Sequence, residues 1–149
     1  MTLAAPIEEH AEALAAGIEE ALPGWVTGCV ERVMRAWAGQ VPPDVEHAAE
    51  QAARQAQRET GAAIRALLAA DIAEQRTTPL ALLRQAVRYP TEVLRQAGVP
   101  PVERDHFARH AFPEDDYDLS PATWADIHPD LTELGITWGA AKAFEHKRR

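Results

Sequence analysis

The sequence predicts an all-α fold, a single domain of about six to eight helices. Apolar residues recur at spacings of three and four, proline and glycine punctuate the chain between those runs, and no stretch alternates apolar with polar as a strand would. With 149 residues, 46% hydrophobic and 26% charged, the chain has the size and composition of one globular domain, 1–149. Residues 1–75 are expected to supply the bundle core, an N-terminal αα-hairpin plus one long helix. Residues 76–149 then add shorter proline-started helices and a C-terminal helix.

Ile7, Ala11, Leu14, Ile18 and Leu22 form one helical face, and Pro23-Gly24 is read as its stop. Val26, Val30, Val33 and Trp37 make the second arm of the hairpin, which ends at Gly39 before Pro42-Pro43. Asp44 is the candidate N-cap of the long helix, expected to run to about Arg76. Its seam reads Val45, Ala49, Ala52, Ala56, Ala63 and Leu67, and Gly61 is a candidate bend. A seam so rich in alanine permits close helix approach but removes little apolar area from water.

Thr78-Pro79 opens the next helix through Leu80, Leu83 and Val87, since proline costs nothing at a helix start. Tyr89-Pro90 kinks it or starts another, ending at Ala97-Gly98. Pro100-Pro101 is expected to open a helix reaching Phe112, followed by an acidic loop from Pro113 to Leu119. Ser120-Pro121 should cap a short helix through Ile127, broken by His128-Pro129. The last helix places Ile136, Ala140 and Phe144 on its expected apolar side.

Net charge is −8, but it comes in blocks. Residues 1–23 hold five Glu and no Lys or Arg; residues 76–109 hold six Arg against three acids; residues 110–138 hold seven acids and no Lys or Arg. Acidic faces repel phosphate backbones, so nucleic acid is not the favoured partner. Opposite blocks are expected to pair within the fold or across a dimer. One cysteine, Cys29, excludes an intramolecular disulfide and fits a reducing cytoplasm. No run has the length of a membrane span, and no signal peptide is legible.

The segments Arg88-Tyr89-Pro90-Thr91-Glu92-Val93-Leu94, Ala97-Gly98-Val99-Pro100-Pro101 and Trp138-Gly139-Ala140-Ala141-Lys142-Ala143 resemble a family of small helical proteins of actinobacterial type. A fainter echo lies at Leu22-Pro23-Gly24-Trp25-Val26. The resemblance, mainly over residues 76–149, implies a natural helical domain. It assigns no activity and no functional residue.

The sharpest chemical constellation is Glu103, His106 and His110, which a helix would gather on one face. Glu-x-x-His is a unit of di-iron bundles, but the second copy that such a centre needs is missing. A mononuclear Zn or Fe site would take its fourth ligand from His10, His47 or the acidic loop. Val102 and Phe107 flank the same arc, which equally suits boundary residues making ordinary hydrogen bonds. A helix-turn-helix across residues 90–112 is the nucleic-acid alternative. Against it stand Leu94 where a small residue is wanted, Arg104 at a position that should be buried and aliphatic, and acids on the reading helix.

Asp116-x-Asp118-x-Ser120 begins like a calcium loop, but Pro121 and Ile127 occupy positions that need Gly and Glu. Arg84, Arg88 and Arg95 offer a basic stripe without a glycine-rich phosphate loop. Cys29 reads as a core residue, and Ser120, the only serine, as a cap. No catalytic arrangement is legible. The expectation is therefore a non-enzymatic helical module for a protein partner, a second copy of itself included. Metal or small-ligand binding is the alternative.

Overall fold

Pro23 does not end the first helix. In the computed structural model, which describes residues 6–70 and 78–147, α1 runs unbroken from Ile7 to Ala38. A proline inside a helix withdraws the N–H that would serve the carbonyl four residues back. That carbonyl belongs to Glu19, and Gln57 Nε2 of the neighbouring helix donates to it at 2.9 Å. Thr27 Oγ1 donates to the Pro23 carbonyl at 3.1 Å. The two stripes expected for a hairpin therefore merge into one buried face of Leu14, Ile18, Leu22, Val26, Val30 and Met34. Trp37, expected on that face, is 50% exposed. Gly39 closes α1 in the left-handed region, φ 76°, with its N–H donating to Arg35 O.

Helix α2 spans Pro43–Ala69, with Pro42 as its N-cap. Asp44 falls in the first turn instead of at the cap, where its charge faces the positive helix end. The extension expected toward Arg76 falls mostly on residues 71–77, outside the described residues. The buried face begins as expected at Val45, Ala49 and Ala56, then follows Thr60, Ile64 and Leu68, leaving Ala63 exposed. Such i+4 rows are the ridges that fill the grooves of a neighbouring helix. α1 and α4 cover this seam within the chain, so Val45, Ala49, Ala52 and Ala56 are packed inside one copy and do not form a face for a second.

α2 runs through Gly61 without a break. A Cβ there would lie 2.7 Å from Glu19 Cγ, so the glycine is a point of close passage between α1 and α2. Beside it, Arg65 forms ion pairs with Glu12 and Glu19 of α1.

Thr78 caps α3 (Pro79–Gln85), its Oγ1 accepting from Ala81 N. Tyr89-Pro90 lies in the first turn of a separate helix, α4 (Arg88–Gln96). Gly98, at φ 82°, ends the α4 segment, and Val99 N reaches back to Leu94 O. Pro100-Pro101 do not open the next helix; α5 is only His106–Ala111, started by the Asp105 carboxylate accepting from Ala108 N. Nor does Ser120-Pro121 start a helix. A single 3-10 turn, Trp124–Asp126, follows Thr123, with Asp126 accepting from the N–H groups of Ala122 and Thr123.

Helix α6 (Leu131–Lys147) packs on α1, while α4 packs on both α1 and α2. One core cluster joins Leu14, Ile18 and Leu22 to Leu83, Val87, Ile127, Leu131 and Trp138. A second joins Val30, Met34 and Val45 to Val93, Leu94, Val99 and Tyr117. Among the described residues there is no strand, and no helix is long and apolar enough to cross a membrane.

Candidate functional site

Helix α6 is apolar on two sides. Leu131, Gly135 and Trp138 are buried and Leu134 is half-buried, so this face meets α1 and the 3-10 turn. The fit is close: a Cβ on Gly17 would lie 2.8 Å from Leu134 Cδ1, and one on Gly135 would lie 2.4 Å from Trp124 Nε1. The opposite face carries Ile136, 64% exposed, Ala140, and Phe144, 61% exposed. This reverses the expected orientation, in which those three residues faced inward. Trp138, Leu131 and Leu134 carry more apolar area than Ile136, Ala140 and Phe144, and the larger set took the core. Glu133 and Lys147, also exposed, lie near the two ends of the outer stripe.

The Glu103, His106 and His110 constellation loses its helical basis. Glu103 lies in the extended segment before α5, and only the two histidines share a helix, their rings stacked with centroids 6.4 Å apart. Arg104 anchors this segment, donating to Ala108 O at 2.7 Å, to Phe112 O at 2.9 Å and to Asp115 O. Of the proposed fourth donors, His10 lies on α1, and His47 lies on α2 within 3.2 Å of Gln51. No group of three or more His, Cys, Asp or Glu poised for a metal exists among the described residues. The helix-turn-helix reading also loses its second helix, because α5 has six residues, none of them buried.

Of the basic segment 76–109, Arg95 pairs with Asp116 of the acidic loop at 2.7 Å, whereas the acidic first helix pairs with Arg65, outside that segment. Asp115 is turned inward, accepting from Leu119 N at 2.7 Å and Ser120 N at 2.9 Å. These carboxylates are committed to loop geometry and to an arginine, not gathered as calcium ligands.

The expected arginine stripe is split by the break between α3 and α4. Arg84 and Arg88 line a cleft of ≈ 490 Å³ with Val87, Phe112 and Glu114, which the sequence did not disclose because its far wall comes from the acidic loop. Arg84 Nε donates to Pro121 O at 3.0 Å. Arg88 lies 5.0 Å over the Tyr89 ring and donates to its hydroxyl, which in turn donates to Glu59 at 2.6 Å. That hydroxyl holds the Glu59 carboxyl below its usual range. Cys29 is fully buried, and burial pushes its thiol up to about 11, which disfavours the thiolate near neutral pH.

Comparison of the chain with protein-family models, with curated proteins and with solved structures gives no match.

Proposed function

We propose that the protein is a non-enzymatic helical module that binds a protein partner through the outer face of α6. The observation that carries this reading is the stripe of Ile136, Ala140 and Phe144 left in solvent on a helix whose other face is already buried. A helix apolar on both sides is ordinarily covered on both sides. Burying Ile136 and Phe144 would each contribute about 1.5–3 kcal/mol. The alanine between them lets a second element approach closely.

The test is a photo-crosslinking amino acid placed at position 140 in the producing cells. The reading expects a discrete protein adduct that disappears when Ile136→Glu is added. An absence of adducts at 140, with a matched probe on the outer side of α2 behaving identically, overturns it.

A further inference from the structure

Resting on the reading above, we infer that the occupant of the α6 face is a second copy of this chain, its α6 running antiparallel to the first. Glu133, Ile136, Ala140, Phe144 and Lys147 fall within an arc of about 80°, at 100° per residue, and all five are exposed. They are arranged symmetrically about Ala140. Ile136 and Phe144 lie four residues to either side of it, and Glu133 and Lys147 lie seven.

An antiparallel pair with its two-fold axis at Ala140 sets Ile136 against the second copy's Phe144, twice. It also sets Glu133 against the second copy's Lys147, twice. The small residue sits at the crossing point, where an interaxial distance near ~8 Å requires it. This is the self-complementarity that a two-fold interface demands. A parallel pair would instead oppose Glu133 to Glu133 and Lys147 to Lys147, which repel. Lys142 does not disturb the stripe, because its Nζ is held 5.0 Å over the Trp138 ring on the inner side.

The alternative dimer surface, the alanine seam of α2, is filled within the chain. The net charge of −8 per chain opposes association, so the contact should be weak at low salt apart from the two paired ends.

Sedimentation velocity over about 5–500 μM, the range suited to a small interface, is the direct experiment. A concentration-dependent dimer is expected, with Ile136→Glu raising its Kd at least about 100-fold, since two apolar contacts are lost per dimer. Glu133→Lys or Lys147→Glu alone should raise Kd by roughly 5–10-fold, and the double reversal should recover most of that loss.

Orientation is read from disulfides. Ala140→Cys should crosslink with itself, and Ile136→Cys should crosslink with Phe144→Cys when the two variants are mixed. Ile136→Cys should not pair with itself, since an antiparallel pair separates those positions by roughly 12 Å along the axis. Circular dichroism confirms that each variant keeps its helices.

A chain monomeric throughout that range overturns the inference, as does a dimer indifferent to Ile136→Glu, or a double reversal no better than the single ones. The two readings fail separately. An adduct at position 140 to a different protein, with a monomeric chain, removes self-pairing and leaves the docking face. No adduct and no dimer remove both.

Discussion

Glu19 shows how one residue joins two helices. Its carbonyl, deprived of a donor by Pro23, takes the Gln57 side chain; its carboxylate meets Arg65; and its methylene stem lies over Gly61. Gln57→Ala should therefore destabilise the protein by about 1 kcal/mol, measured by urea unfolding, although Gln57 itself is exposed. In a Pro23→Ala background the backbone supplies its own N–H, and the cost of Gln57→Ala should fall to less than half. An equal cost in both backgrounds would show that the amide does not substitute for the missing helical bond.

At the scale of elements, Gly28 of α1 and Gly135 of α6 occupy opposite situations. Gly28 has open space where a Cβ would go, so Gly28→Ala should gain about 0.5–1 kcal/mol from helix propensity alone. Gly135 is also helical, yet its Cβ would meet the Trp124 indole at 2.4–2.8 Å. A rigid ring backed by the core cannot swing aside as a long flexible chain does. Gly135→Ala should cost about 1–3 kcal/mol in spite of its better propensity. Thermal melts of the two variants side by side give opposite shifts; a stabilised Gly135→Ala would mean that the 3-10 turn is not packed on α6 as described.

The whole molecule should lose stability on the alkaline side. Cys29 ionises near 9.0 when free but only at about 11 in the fold, because burial disfavours the thiolate. The unfolded chain thus releases its proton first. Stability from this group is intact below about pH 9 and is lost as pH climbs toward 11, by up to about 3 kcal/mol. Tyr117 adds to the same slope, since burial also raises its hydroxyl, which donates to Val99 O. Urea midpoints between pH 8 and 11 should fall steadily, and Cys29→Ala, though weaker at pH 8, should show a shallower fall. Parallel curves for the two proteins would remove Cys29 as the cause.

The all-helical class was legible in the sequence, as were those boundaries at which a cap or a left-handed glycine acts alone. Thr78 before Pro79, Gly39 and Gly98 act through neighbours a few residues away, and each ends or begins a helix where its own dihedrals and hydrogen bonds dictate. Other features depended on partners distant along the chain. Whether Pro23 breaks a helix was decided by a donor on α2, and the need for glycine at position 61 was decided by a side chain of α1 passing against it. Arg104 binds carbonyls as far on as Asp115, and Glu103 beside it lies off the helix that would have aligned it with His106 and His110, which starts only after the Asp105 cap. The two sides of α6 have the same period, and periodicity alone does not rank them. Packing against α1 and Trp124 turned Leu131 and Trp138 inward, with Ile136 and Phe144 64% and 61% exposed on the other side, because burial energy follows the area that the rest of the fold can cover.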